Sequence, residues 1–331
     1  MHVHDGAAGR ARAALARVAA RTMDWQFFGW YWGDAIAIDG LLAAADMLSD
    51  RAPRTFAAQA IGRWAQLCPP SFDDALAPGA AIARLAADGD VPPAAADRFL
   101  ASIDRLPLLA GAVPALEPHR PAYRFGLCID ALYHLPPALA ALASLCHDPY
   151  LMKRGTTVAA AILQLTQCAA GWAQWYDVAR GRNNAVAWSR GIGWALLGCL
   201  DTIALADGDA AEPSLADAAA AMLGLLAASQ QPDGHWPAVL GHPGAPAETS
   251  TAAFFVAAAL HPHAPVTVSE DSLNRALDAV LASVDEAGTY GGVSADVLPS
   301  WELADYLRFR VEPSPWGQGA ALRALASAAG R

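Results

Sequence analysis

Segments with apolar residues at every third or fourth position recur along almost the whole chain, and they restrict its fold more than any other feature. About a dozen are present, counting the N-terminal region and weaker helices near 54–66 and 94–104. The clearest are 34–48, 78–87, 136–145, 158–170, 194–206, 215–229, 251–260, 273–284 and 319–330. Gly, Pro and Asp separate them. The pattern favours an all-α fold of helical hairpins closed into a ring. An open solenoid is the alternative, but it normally shows a fixed repeat length.

Strand signals are scarce by comparison. The stretches HWPAVL (235–240) and TYGGVS (289–294) are the candidates for short strands within loops. The chain has 331 residues, of which 55% are hydrophobic and 16% charged, enough apolar material for a large core. We find no linker or low-complexity tract, so we expect a single domain over residues 1–331.

The charge distribution excludes several classes of partner. The net charge of −10 argues against nucleic-acid binding, which needs a basic surface. Arginines at positions 10, 12, 17 and 21 interrupt any signal-peptide core, and no apolar run is typical of a membrane span. The five cysteines are scattered in mostly apolar sequence, which indicates reduced core residues instead of a disulfide framework. We therefore expect a cytoplasmic protein.

The stretch AWSRGIGWALLGCLDTIALA (187–206) begins a predicted helix with residues that are unusual at a helix start. Trp188, Arg190 and Trp194 are large, and Gly191 and Gly193 lower helix propensity beside them. Most of the eleven tryptophans lie at similar loop-to-helix junctions. They either plug the ends of a helical core or form a platform on which sugar rings stack.

Three aspartates stand out by their apolar surroundings. Asp130 lies in FGLCIDALYHLPPALAAL, where a charge is costly unless it is paired or protonated. Its plain alternative is a helix cap ahead of a helix starting at Pro136–Pro137. Asp74 and Asp34 also precede apolar helices, and capping explains them equally well. Two carboxylates facing one cleft would share a proton, as general acid chemistry requires.

Metal and nucleotide motifs are absent from the sequence. It contains no HExxH or similar ligand spacing, and SRGIGW lacks the spacing of a dinucleotide loop. His119 and His134 could line a pocket, although each has a structural interpretation. These absences argue against a zinc site and a dinucleotide loop.

Five stretches, in order, resemble the unsaturated uronyl hydrolases of glycoside hydrolase family 105 and the related family 88. AWSRGIGWALLGCLDTI is similar to the W-x-R-x-x-G-W signature, and YRFGLCIDALYHLPPAL to the D-x-L-Y-M segment. FDDALAPGAAIARL resembles the segment with the first site aspartate. QQPDGHWPAVLGHPGAPAETSTAAFFVAAAL resembles D-G-x-W followed by E-[ST]-S, and SPWGQGAALRALA the final G-x-G-A helix.

The resemblance implies an (α/α)6 barrel of six helical hairpins. It also implies removal of a terminal 4,5-unsaturated uronic acid from short oligosaccharides, such as those left by pectin or glycosaminoglycan lyases. In this chemistry a carboxylic acid protonates C4 of the vinyl ether and water adds at C5. The resemblance further implies that neither a metal nor an organic cofactor is needed. A short unsaturated oligosaccharide is the expected partner, and we expect a monomer or weak homodimer that binds neither nucleic acid nor membrane.

By the same resemblance, Asp130 is the catalytic acid and Asp74 holds the proton or positions the water. Arg190 contacts the substrate carboxylate or a ring oxygen. The remaining predicted substrate-binding residues form the walls of the site: Trp188, Trp194, Trp32, Gln174 and His119.

The departures from the family pattern affect the expected substrate specificity more than the expected reaction. Where the family often reads Y-H-A-W-D, this chain reads WAQWYD, with Gln174 at the usual histidine, and His134 stands where methionine is common. A family 88-like unsaturated glucuronyl hydrolase and a non-catalytic carbohydrate-binding barrel remain alternatives. A sugar 2-epimerase on the same barrel would need a pair of catalytic histidines.

Overall fold

The computed structural model describes residues 2–27, 31–67, 78–115, 125–206 and 213–331. In these ranges the chain forms thirteen helices and seven short strands. None of the helices described is both long enough and apolar enough to cross a membrane.

Six helices form an inner ring: α2 (Trp32–Leu48), α4 (Gly79–Ala87), α6 (Ala131–Cys146), α8 (Ser189–Leu205), α10 (Thr249–Ala259) and α13 (Pro315–Ala329). Each packs against the next, and α13 packs against α2, which closes the ring. Six outer helices pack outside it: α1 (His2–Met23), α3 (Arg51–Leu67), α5 (Ala94–Arg105), α7 (Pro149–Thr166), α9 (Pro213–Ser229) and α11 (Glu270–Ala282). The short α12 (Leu303–Tyr306) lies between α11 and α13. The fold is the expected all-α (α/α)6 barrel.

The apolar character of each helix decides its layer. The inner helices α8 and α10 are buried along most of their length, whereas α5 and α11 bury one face and expose charged residues on the other. Glycine allows the inner helices to approach closely. A Cβ at Gly198 would lie 2.2 Å from the carbonyl oxygen of Leu132, and a Cβ at Gly319 would lie 2.4 Å from the backbone of Ile36. These contacts fix the spacing of α6 to α8 and of α13 to α2.

A polar network connects α2, α6, α8 and α13 inside the ring. Tyr133 donates to Asp39 at 2.7 Å, and Arg323 donates to both oxygens of Asp201 at 2.8 and 3.1 Å. Burial raises the pKa of Asp39 to about 6. Burial opposes ionisation of Asp201 as well, but Arg323 and His261 bring its pKa down to about 2.

The strands are very short and lie in the loops. β3 (Gly126–Cys128), β6 (Trp175–Asp177) and β7 (Arg182–Asn183) form an antiparallel sheet in which Cys128 is opposite Trp175. β1 (Leu108–Leu109) pairs with β2 (Val113–Pro114), and β4 (Gln167–Cys168) pairs with β5 (Gly171–Trp172). The two stretches predicted as strands, 235–240 and 289–294, form only isolated bridges.

Candidate active site

Asp130 lies where β3 leads into α6, at the N-cap of the helix. Its side chain makes no capping hydrogen bond, and its Oδ1 is buried without a hydrogen-bond partner in the protein. The capping alternative is therefore wrong for this side chain. The helix begins at Ala131, and Pro136 and Pro137 lie inside it, not at its start.

The surroundings of Asp130 favour its protonated form. Burial raises the pKa of its carboxyl from 3.8 to about 6. The positive charge of Arg190 lowers this pKa, and the negative charge of Asp296 raises it further. A carboxyl with such a pKa carries a proton in mildly acidic solution and is suited to general acid catalysis.

Gly191, in the first turn of α8, gives Asp130 its space. A Cβ at this position would lie 3.2 Å from Asp130 Oδ1 and 3.1 Å from a methyl group of Ile129. Gly193 packs against Phe254, where a Cβ would lie 2.6 Å from the Phe254 side chain. Gly191 and Gly193, which lower helix propensity, are thus explained by close contacts with neighbouring residues. For Gly191, one of these contacts is with the candidate acid.

Arg190 is buried beneath the loop that leads from α11 to α13. Its Nη1 donates to the carbonyl oxygen and the hydroxyl of Ser294, both at 2.6 Å, and its Nη2 donates to the carbonyl of Ala295 at 3.3 Å. The indole N–H of Trp316 donates to the same Ser294 carbonyl at 3.1 Å. These bonds fix the guanidinium and also place Asp296, which is next in the chain.

Glu248 completes this network from the start of α10. One carboxylate oxygen accepts from the backbone N–H of Thr251 and caps the helix. The other accepts from the backbone N–H and hydroxyl of Ser294 and lies 3.7 Å from Arg190 Nη1. Glu248 and Arg190 are both almost fully buried. Removing either charge would leave the other buried and uncompensated, which is strongly unfavourable.

The predicted aromatic walls separate into two groups. Trp194 is fully buried at the centre of the ring, with ring centroids 4.8 Å from Tyr133 and 6.2 Å from Trp32. Trp32 is partly exposed and lies 4.6 Å from Trp316. Trp188 is also buried, but it packs in a separate small cluster that includes Tyr306.

Gln174 lies next to the Asp130 segment because its carbonyl accepts from the backbone N–H of Ile129 at 2.9 Å. Its side chain is 4% exposed, and its Oε1 has no partner in the protein. Six of the buried polar atoms without a protein partner belong to residues of α6, of the start of α8 and of the segments beside them: Asp130 Oδ1, Gln174 Oε1, both imidazole nitrogens of His134, and the indole nitrogens of Trp188 and Trp194. Native proteins leave few such atoms unpaired, and a ligand site is one explanation.

Two predicted site residues, Asp74 and His119, lie outside the described residues. Asp34 is buried in the first turn of α2. Among the residues that the structure describes, no group of three or more His, Cys, Asp or Glu side chains could hold a metal ion.

Sequence reasoning quoted the motifs that contain Glu248 and Trp316 but did not assign them, or Ser294, to the support of Arg190. It also missed Asp296 as a second charge near Asp130. One signal was available, since Glu248 stands directly before an apolar helix. Ser294 carries no comparable signal because its role depends on a contact with a residue 104 positions away.

Comparisons with known proteins identify the family of the chain. Residues 118–330 match the family model described as Glycosyl Hydrolase Family 88. No curated protein sequence matches the chain.

Solved structures share the fold. A possible member of the GH105 family from Salmonella enterica serovar Paratyphi A has a TM-score of 0.84 and 17% identity, covering 96% of this chain and 93% of that one. An unsaturated glucuronyl hydrolase from Bacillus sp. GL1, responsible for the degradation of glycosaminoglycan, has a TM-score of 0.72 and 15% identity, covering 96% of each chain. An unsaturated glucuronyl hydrolase specific for heparin has a TM-score of 0.72 and 13% identity, covering 98% of each chain.

Proposed function

The chain belongs to glycosyl hydrolase family 88 and is a glycoside hydrolase, and from this premise we propose that it removes a terminal 4,5-unsaturated uronic acid from short oligosaccharides. The observation that carries the proposal is Asp130, a partly buried carboxyl with an unpartnered oxygen and a pKa raised to about 6. Around it lie an arginine, indole rings and unpaired polar atoms, which suit an anionic sugar.

In the proposed reaction the Asp130 carboxyl gives its proton to C4 of the vinyl ether. The oxygen of a water molecule bonds to C5, and the water's proton passes to the Asp130 carboxylate, which restores the acid. The resulting hemiketal opens by breaking the bond between C5 and the ring oxygen, leaving a ketone at C5. The hemiacetal now present at C1 then expels the second sugar as an alcohol.

The other site residues act on binding and orientation in this proposal. Arg190, fixed by Ser294, attracts the substrate carboxylate and keeps part of the Asp130 population ionised. Trp32, Trp188 and Trp194 form the apolar walls in this proposal, Trp32 as a partly exposed ring and Trp188 and Trp194 as buried rings behind the site. An amide at Gln174 can donate to or accept from a sugar hydroxyl but carries no charge.

Asp74 and His119 keep the roles inferred from the resemblance. Asp74 holds the shared proton or positions the water, and His119 lines the substrate pocket.

We propose an unsaturated rhamnogalacturonyl substrate, from pectin degradation, because the wording of the sequence motifs resembles family 105 most closely. Two solved relatives are unsaturated glucuronyl hydrolases, which makes a glucuronyl substrate the second candidate. We further propose that the protein is a cytoplasmic single domain, as a monomer or weak homodimer, and needs no cofactor.

The test is the ultraviolet absorbance of unsaturated rhamnogalacturonyl and glucuronyl disaccharides incubated with the protein. Loss of the absorbance of the C4=C5 bond is expected, and the substrate lost faster identifies the preferred sugar. A constant signal on every substrate, from protein shown to be folded by circular dichroism, would contradict an unsaturated uronyl hydrolase and favour a carbohydrate-binding barrel.

A further inference from the structure

His134 follows Asp130 by four residues, which places it one helical turn further along the same face of α6. Residues with this spacing have Cβ atoms roughly 5–6 Å apart. Opposite them on α8, Gly191 adjoins Asp130 and the Trp194 ring centroid lies 5.3 Å from that of His134. His134 and the candidate acid are therefore close neighbours.

The imidazole of His134 is buried without any hydrogen bond to the protein. It is 4% exposed, and neither Nδ1 nor Nε2 has a partner. Burial lowers the pKa of His134 to about 3, so the ring is neutral under the conditions in which Asp130 titrates. A neutral imidazole has one donor and one acceptor, and leaving both unpaired in a protein interior is unfavourable.

The neighbouring side chains do not satisfy this ring. Tyr133 contacts it edge to face, but the Tyr133 hydroxyl donates to Asp39. Trp194 contacts it with its ring, and the indole N–H of Trp194 also lacks a protein partner. The imidazole of His134 and the indole N–H of Trp194, whose rings are in contact, are thus both left unpaired.

We propose that His134 is a substrate-binding residue that hydrogen-bonds a hydroxyl of the unsaturated sugar while Asp130 acts on C4. A hydroxyl both donates and accepts, so it can pair with either imidazole nitrogen, whereas a carboxylate can pair only with the N–H. The inference rests on the proposed function and extends it to a residue that supplies neither charge nor proton.

The test replaces His134 with Met, which fills similar space without polar atoms, and with Gln, which keeps a donor and an acceptor. His134→Met should lower kcat/KM on the preferred unsaturated disaccharide by about 10- to 100-fold, and His134→Gln should lower it less. His134→Met should also raise the urea midpoint, because an unpaired buried polar group is removed. His263→Met, at an exposed histidine, is the matched control and should change neither quantity.

Substrate analogues give a readout that altered packing would not reproduce. On the 2-deoxy or 3-deoxy analogue that lacks the bonded hydroxyl, wild type and His134→Met should have the same kcat/KM. Active wild type with unchanged kcat/KM in His134→Met would overturn the inference and leave the proposed function intact. Inactive wild type would overturn the proposed function. Titration calorimetry of the same disaccharide then decides the inference, which fails if His134→Met binds as tightly as wild type.

Discussion

Asp130→Asn should make the protein more resistant to denaturant at pH 8, and the advantage should shrink at pH 4. The reason is the raised pKa of Asp130, which is about 6 in the folded protein against an ordinary value of 3.8. Above pH 6 the folded protein must hold a partly buried carboxylate whose Oδ1 has no partner. Asparagine has nearly the same shape and does not ionise.

The size of the effect follows from proton linkage. A rise in the pKa of Asp130 from 3.8 to about 6 changes the free energy of unfolding by about 3 kcal/mol once the carboxyl is fully ionised, since each unit of pKa corresponds to about 1.4 kcal/mol. Asp130 is partly open to solvent, so we expect about 1–2 kcal/mol between pH 4 and pH 8. The sign is fixed because the folded state binds this proton more tightly than the unfolded state. The protein is therefore stabilised below pH 3.8 and loses that stability as the pH rises through 6.

The assay is urea unfolding of wild type and Asp130→Asn at both pH values, comparing the difference in the free energy of unfolding. The pKa of Asp39 is also raised, to about 6, but it titrates in both proteins and cancels in the difference. An equal difference at pH 4 and pH 8, or a wild type that gains stability over the variant at pH 8, would refute the reasoning.

Three further predictions concern the same network and the ring. Glu248→Gln should destabilise the protein by about 3–5 kcal/mol in urea unfolding, because Arg190 keeps its buried charge without a carboxylate. Gly198→Ala should destabilise it by about 3 kcal/mol, because the new Cβ would meet the carbonyl of Leu132 and push α6 from α8. The pH profile of kcat/KM should fall about tenfold per pH unit above pH 6, as Asp130 loses its proton.

Each of these has a matched control or a contrary outcome. Glu270→Gln changes an exposed glutamate, and Gly224→Ala adds a methyl group to an exposed helical position with nothing within 4 Å, so neither should destabilise the protein. If the core variants unfold with the same free energy as these controls, the packing account is wrong. A pH profile that stays flat to pH 8 would remove Asp130 from the role of general acid.

The helices were predictable because apolar periodicity is a local signal. The weaker predictions 54–66 and 94–104 correspond to α3 (Arg51–Leu67) and α5 (Ala94–Arg105). The two- and three-residue strands carry too few positions to show alternation, and they were missed. Pro136–Pro137 indicated a helix start, but burial of α6 against its neighbours outweighs the two backbone hydrogen bonds that these prolines cannot make.

The part of the candidate site that lies on neighbouring inner helices and their loops was predictable from the sequence. Asp130 and Gln174 meet because β3 pairs with β6, and Arg190 joins them because α8 packs beside α6. The partners of Arg190 lie at the start of α10 and in the loop before α13. Their position next to Arg190 depends on how the ring of helices closes. No local sequence pattern around Ser294 indicates a contact with a residue so distant in the chain.

The central claim is that Asp130 supplies the proton, and the most direct test compares wild type with Asp130→Asn on the preferred unsaturated disaccharide. The ultraviolet absorbance of the C4=C5 bond should fall with wild type and stay constant with the variant, while circular dichroism shows both folded. Substantial turnover by folded Asp130→Asn would contradict the claim.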